Sequence, residues 1–249
     1  MRAFLSLLYG LAAYAASMAL LLYFVAFCGN LGVPRSIDAG GPVAAWPRAV
    51  VVDVLLLALF GVQHSVMARR GFKAAWTRLV PAAVERSTYI VASSAALAML
   101  MACWRPIPAP VLWHVDGAVS SDLLWAGFWL GWAIVVLSTF LLDHFELFGL
   151  RQSASGVLRR APARDDGLRT PLLYRHVRHP LYLGFLLTFW SVPAMTAGRL
   201  VFAGGMTAYI LVGIRFEERD LVAAFGDTYR AYRQRVGMLL PRWRRPAGS

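Results

Sequence analysis

The chain has 249 residues, 59% of them hydrophobic and only 15% charged, with a mean hydropathy of +0.57. That balance excludes an ordinary water-soluble domain and makes the chain an integral membrane protein. A formal charge of +12 and a pI near 10.6 raise nucleic acid as a partner, but the arginines cluster beside apolar runs rather than in a free basic domain, so none is expected.

Apolar stretches near the about 20 helical residues that cross a hydrocarbon core recur along the chain. They fall at 5–28, 49–67, 88–104, 122–142, 181–197 and 199–215. The first is longer than the apolar core of a signal peptide and shows no small-residue cleavage site, so it reads as a retained span. The last two are separated only by Gly198 and read as a tight hairpin, because Pro193 interrupts any single helix over both. The expected fold is all-α: about six transmembrane helices, the last two a short hairpin, followed by a C-terminal interfacial amphipathic helix. That last helix rests on Leu221, Phe225, Tyr229, Tyr232 and Val236, which recur every three or four residues among arginines. Gly226-Asp227 is expected to break it, with Asp227 as N-cap; roofing a site and lipid anchoring are equally open roles for it. The stretch 153–173, rich in Arg, Ala, Ser, Gly and Pro, is expected to be a mobile loop gating cofactor entry.

Of the 25 basic residues, Arg35, Arg48, Arg105 and Arg199 fall in one set of connections and all the others in the alternate set. This positive-inside pattern predicts a multi-pass protein of the bacterial inner membrane with both termini cytoplasmic and a basic face that attracts anionic membrane lipids. Cys28 and Cys103 belong to no metal-type cluster. Two buried thiols are favoured, and a disulfide at the outer ends of their spans is the alternative.

Polar residues gather at the cytoplasmic ends of the spans: Gln63-His64-Ser65, Asp143-His144-Phe145-Glu146, Arg151-Gln152, Arg178-His179-Pro180 and Glu217-Glu218. Ionisable groups at membrane depth are costly unless paired or facing a wet cavity, so their convergence marks a candidate site. Each has a blander reading. His64 alone fits a satisfied core histidine, His144 and Glu146 an interfacial helix end, and Gly127-x-x-x-Gly131 ordinary close packing. Asp53, in the outer half of its span, reads as a local hydrogen-bonding group. Pro180 suits the first turn of a helix, whose unpaired N–H groups would favour a carboxylate. Gly184, one turn on, leaves room for a ligand or another helix. Glu217 and Glu218 would accept from ribose hydroxyls or face a cationic group.

Arg178-His179-Pro180-x-Tyr182-x-Gly184 followed by Glu217-Glu218-x-x-Leu221-x-x-x-Phe225-Gly226-x-x-Tyr229-x-x-Tyr232 resembles the C-terminal signature of the isoprenylcysteine carboxyl methyltransferase and phospholipid methyltransferase superfamily, membrane enzymes that use S-adenosylmethionine. Gly237 departs from it, standing where related chains often carry proline, which leaves the path of the tail open. A narrower resemblance, to bacterial methanethiol S-methyltransferases, is carried by Val33-Pro34-Arg35-Ser36-Ile37-Asp38, Gln63-His64-Ser65-Val66-Met67-Ala68-Arg69, Glu85-Arg86-Ser87-Thr88-Tyr89 and His144-Phe145-Glu146-Leu147-Phe148-Gly149-Leu150-Arg151-Gln152.

The resemblance implies methylation of methanethiol by S-adenosylmethionine, giving dimethyl sulfide and S-adenosylhomocysteine. It implies a cofactor side in 143–249, with Tyr174, Arg178, His179, Pro180, Tyr182, Gly184, Glu217 and Glu218, and a substrate side in 1–142. A thiol attacks as its thiolate, so a base or cation is needed: His64 first, His144 second, with Arg151 as the cationic candidate. Gln63, Ser65 and Gln152 are the candidates to orient the thiol. No metal and no obligate protein partner is expected. The alternatives are a prenylcysteine or lipid methyltransferase, a non-catalytic membrane scaffold for assembly or transport, and a sterol-type reductase using NADPH.

Overall fold

With no water in a hydrocarbon core, every backbone polar group must find its partner inside the segment, and these apolar runs therefore fold as helices. The computed structural model describes residues 1–158, 167–168 and 170–242. In chain order it contains α1 (Arg2–Gly29), α2 (Trp46–Met67), α3 (Arg70–Trp76), α4 (Ala82–Cys103), β1 (Val111–His114), α5 (Ala118–Leu141), α6 (His144–Leu147) and α7 (Leu150–Leu158). A 3₁₀ turn (Leu172–Arg175), α8 (Pro180–Trp190), β2 (Ala194–Thr196), α9 (Ala197–Phe225) and α10 (Asp227–Arg235) complete it. Five helices, α1, α2, α4, α5 and α9, are long and apolar enough to cross a membrane.

Local signals set their ends. Asn30 takes the left-handed conformation, φ 53°, that closes α1. Pro47 lies in the first turn of α2, Pro81 precedes α4 and Pro180 opens α8. Thr196 caps α9 by accepting the Arg199 N–H.

The sixth crossing differs from the expected hairpin. α8 has only 11 residues, about 16 Å of helix against a hydrocarbon core of about 30 Å. Residues 191–193 turn away from the helix, the Val192 N–H returning to the Trp190 carbonyl, and β2 then pairs antiparallel with β1. Gly198 lies inside α9 rather than at a turn. Pro193, which has no N–H for a helix, sits in the break, while the edge of β1 satisfies the freed backbone.

Smaller departures follow the same logic. α4 starts at Ala82, not near 88, because Pro81 fixes the entry. Of the expected loop over 153–173, residues 153–158 belong to α7, which is packed on α1 and α4; 159–166 and 169 lie outside the described residues. The N-cap of α10 is Gly226, not Asp227, since φ 55° at that position suits glycine.

The core is aromatic and lies in the half of the bundle away from α8's start. Phe24, Phe27, Trp104, Phe128, Trp132, Phe189 and Phe202 pack there, mostly edge to face, as with Phe189 and Phe202 at 5.2 Å. Leu22, Leu55 and Leu123 are exposed from the other side of their helices, as expected of side chains that face lipid. Close helix approach comes from glycines: a Cβ on Gly184 would stand 2.7 Å from the Gly131 carbonyl oxygen, so α5 and α8 touch through bare backbone. Gly184 therefore serves the approach of a helix, not of a ligand.

At the end of the bundle far from His179, buried Arg199 donates to Asp38 at 2.6 Å and to the Cys28 carbonyl at 2.9 Å, and Thr196 donates to Asp38 at 2.6 Å. Asp53 is fully buried and accepts the Arg105 N–H at 2.9 Å, the local role expected of it. Cys28 and Cys103 are both free thiols; Cys28 is buried, but Cys103 is exposed at the end of α4, contrary to the expectation of two buried thiols.

Candidate active site

Three elements meet at the N-terminus of α8. His179 is its N-cap and Pro180 its first residue, so the next N–H groups, of Leu181 and Tyr182, have no intrahelical partner and point out of the helix start. Glu217 on α9 accepts from the Tyr182 hydroxyl at 2.9 Å and is 3.9 Å from His179 Nδ1, with its side chain 45% exposed. It is thus an oriented carboxylate still open on one side. Tyr174, buried in the 3₁₀ turn, has its phenol pushed well above the usual range by burial and by the Glu217 charge, so it stays a neutral donor beside that carboxylate.

Glu218 has a different task. It receives Arg178 Nε at 2.7 Å and His179 Nε2 at 3.3 Å, with Arg233 of α10 at 3.7 Å. Arg178 is itself buried and also donates to the carbonyls of Arg233 and Val236. Backbone N–H groups of Arg178 and His179 donate to Gly237 and Met238 at 2.8 and 3.1 Å. The path of the tail is thereby set: it returns alongside residues 177–179. Tyr229 and Tyr232 turn inward from α10, and the Tyr232 hydroxyl donates to the Tyr174 carbonyl at 2.5 Å. Burial pushes the Tyr232 phenol up to about 12, with Arg178 pulling the other way, so it remains a donor at any working pH. α10 roofs this end of the bundle, and its role is more than lipid anchoring.

A second polar set lies where α2, α4 and α9 meet. His64 Nδ1 is 3.2 Å from Ser93 Oγ, and the Tyr89 hydroxyl is 3.0 Å from His64 Nε2. Phe60 stacks on the imidazole at 5.5 Å and Tyr209 meets its edge at 6.5 Å. Gln63 Nε2 reaches Ser93 at 3.4 Å, while its Oε1 is buried with no partner among the described residues. Arg69, just past the end of α2, lies 4.3 Å over the Phe216 ring and pairs with Asp220 at 3.1 Å, tying this end of α2 to the stretch of α9 that carries Glu217. Tyr209, which meets His64, and Glu217, which holds the Tyr182 hydroxyl, both stand on α9 about two turns apart, so the two sets line one polar strip along that helix.

His144 and Arg151 stand in a third set. Both ring nitrogens of His144 are taken, Nε2 by the Tyr14 hydroxyl and Nδ1 by Thr139 Oγ1, each at 2.9 Å, and Phe140 stacks on the ring at 4.4 Å. Arg151 pairs with Asp143 at 2.5 Å and Glu146 at 3.8 Å. This is the arrangement of a satisfied histidine and a surface ion pair clamping α1, α5 and α6. Burial lowers the His144 imidazole below its ordinary range, against a smaller upward pull from Asp143. Gln152 Oε1 is buried and unpartnered among the described residues. Arg86 links the sets, donating to the Leu147 carbonyl at 2.9 Å while its guanidinium lies 4.9 Å over the Tyr89 ring.

With this geometry in hand, comparison with known proteins is decisive. Methanethiol S-methyltransferase of Pseudomonas deceptionensis is 53% identical over 243 residues, covering 98% of this chain and 92% of that protein. The protein of that name in Mycobacterium tuberculosis is 51% identical over 97% of this chain and 98% of its own length. The chain belongs to the methanethiol S-methyltransferase family. A family model described as NnrU protein matches residues 53–244, and Nurim of Danio rerio is 33% identical over 70% of this chain and 65% of its own length. No solved structure matches.

For a methanethiol S-methyltransferase relative, three side chains around His64 were not marked by sequence reasoning: Tyr89, Ser93 and Tyr209. Tyr89 stood in a quoted motif without a role, and Ser93 lies one helical turn beyond it, on the same face. Tyr209 carried no local signal, since only packing over Gly61 brings it to the site. No group of acidic, histidine or cysteine side chains among the described residues could hold a metal ion.

Proposed function

We propose that this protein methylates methanethiol from S-adenosylmethionine, releasing dimethyl sulfide and S-adenosylhomocysteine, within a bacterial inner membrane with both termini cytoplasmic. The polar strip joining Glu217 to His64 carries the reading, because it offers a grip for a zwitterionic nucleoside and a place for a thiol a short way along the same surface. The names of the relatives at about half identity favour methanethiol over a prenylcysteine or a lipid.

The residues present fit the cofactor. Glu217 and the neutral Tyr174 phenol suit ribose hydroxyls or the cationic amino group, and the free N–H groups at the start of α8 suit a carboxylate. Pro180 sets that helix start. Arg178, His179 and Glu218 act by holding α10 and the tail as a roof, and Gly184 by seating α8 on α5. When bound, S-adenosylmethionine supplies an electrophilic methyl group on a sulfonium.

The chain's own part is to orient and deprotonate the nucleophile. The orphaned Gln63 acceptor can take an S–H donor, and Ser65 and Tyr209 wall the approach. With Nδ1 held by Ser93, His64 accepts the thiol proton at Nε2, where the thiol takes the place of the Tyr89 hydroxyl. A thiolate held there would be aligned for in-line attack on the methyl group that bound S-adenosylmethionine would supply, its S–C bond forming as the sulfonium C–S bond breaks. Apolar helix surface around His64 excludes water that would compete or solvate the thiolate. His144, Arg151 and Gln152 keep a supporting role, reaching the site through Arg86.

The test is headspace detection of dimethyl sulfide from purified protein given methanethiol and S-adenosylmethionine. Cofactor binding by calorimetry without product sinks the thiol assignment; absence of cofactor binding sinks the methyltransfer reading altogether.

A further inference from the structure

α9 has 29 residues, about 44 Å of helix, while the hydrocarbon it crosses is about 30 Å thick. Its last three turns, from Arg215 onward, therefore stand at headgroup level and beyond. There α9 and α10 enclose an open groove of about 590 Å³, with Arg215, Arg219, Arg230 and Arg233 on its walls and Val222 and Ala223 on its floor.

The one acidic residue lining it, Glu218, is already neutralised by buried Arg178 at 2.7 Å. Arg230 is held at 2.7 Å by Asp227, whose side chain is 94% exposed and so returns little to the pair. Arg215 and Arg219 form no ion pair among the described residues. Arg233 reaches the second Glu218 oxygen at 3.7 Å, so Arg215 and Arg219 are the guanidinium groups left without an acidic partner among the described residues, in the layer where phosphates reside and beside the apolar Val222 and Ala223.

The geometry points to a binding site for the phosphate of an anionic phospholipid headgroup, taken from the surrounding leaflet by Arg215 and Arg219 with Arg233 beside them. Guanidinium forks match phosphate oxygens in pairs, and a bilayer anion reaches the groove without leaving its leaflet. A lipid seated there would bind α9 and α10 together from outside, on the side opposite the Arg178 latch.

The test uses the full chain in nanodiscs of phosphatidylcholine with a minority of phosphatidylglycerol, ejected and weighed by native mass spectrometry. Phosphatidylglycerol should be retained preferentially. The double variant Arg215→Gln/Arg219→Gln should lose that preference roughly tenfold or more, while Arg215→Lys/Arg219→Lys keeps most of it. Equal retention by the glutamine variant overturns the proposal. Displacement by inorganic phosphate at matched concentration also overturns it, by making the ligand a soluble phosphate. So does loss of S-adenosylmethionine binding by the glutamine variant in pure phosphatidylcholine, which would give the groove to the cofactor site.

Discussion

Glu217 and Glu218 are neighbours in sequence with opposite duties, and the difference lies in what each already touches. Glu217 keeps an open side, whereas Glu218 is spent on Arg178 and His179. Glu217→Gln is expected to weaken S-adenosylmethionine binding about tenfold or more, the scale of a charge-assisted hydrogen bond, with little change in thermal midpoint. Glu218→Gln should lower the midpoint first; calorimetry and a thermal scan on both variants decide, and a pair of identical profiles would erase the distinction. His64→Ala is expected to cost about a hundredfold in turnover with cofactor affinity nearly unchanged, as for loss of a general base, and a parallel fall in both would make His64 structural. His144 should show itself through pH. Its imidazole is held below the ordinary 6.5 in the folded state, so the unfolded chain binds the proton first. Stability contributed at this position is present above about pH 6.5 and is lost as the pH falls below it toward the lower folded value. Thermal midpoints in detergent at descending pH should fall more steeply for the native chain than for His144→Gln; equal slopes would place the titration elsewhere.

Among the elements, α10 depends on a single buried cation. Arg178 joins the start of α8 to Glu218 on α9 and to two carbonyls of the roof. Arg178→Ala leaves Glu218 without its closest partner and should cost about 3–5 kcal/mol of local stability. The expected readout is early tryptic cleavage within 226–242 while the membrane helices stay intact; unaltered cleavage would mean that tyrosine packing alone seats α10. The element scale also shows how sequence and structure diverged. Arg178-His179-Pro180 announced a helix start because proline's constraint acts on its own residue, and the periodicity of Leu221, Phe225, Tyr229, Tyr232 and Val236 announced an amphipathic helix while leaving its roofing role open. The break after Trp190 was harder to see. An apolar run reads alike as helix or buried strand, and only pairing with β1, some eighty residues earlier, settles which. Tyr209 and Ser93 were hidden for the same reason: their roles come from helix packing, which leaves no periodic trace. His144 carried a signal as strong as His64, and what separates them is position: Tyr14 and Thr139, both on other helices, hold His144 between α1 and α5, whereas His64 packs against Tyr209 of α9, the helix that carries Glu217.

For the whole molecule, two polar sets at opposite ends of one bundle define an axis. The Asp38–Arg199 clamp lies at one end and the Arg178–Glu218 latch at the other, with the aromatic core nearer the clamp. α1, α2, α4, α5 and α9 run along this axis with the shorter α8 beside them, and Met1 and the described tail to Arg242 fall at the latch end. Basic residues are concentrated at that end as well, so the positive-inside rule predicts that it faces the cytoplasm. The two cysteines make this orientation measurable without adding any residue. Cys103 is exposed at the clamp end of α4, and Cys28, near the same end, is buried against the core. A membrane-impermeant maleimide applied to intact spheroplasts should therefore label Cys103 and spare Cys28, and Cys103→Ser should abolish the signal. Labelling of Cys103 only in inverted vesicles would reverse the bundle, placing the Glu217 site on the outer side, where a cytoplasmic nucleoside cofactor has no access; the proposed methyl transfer would fall with it.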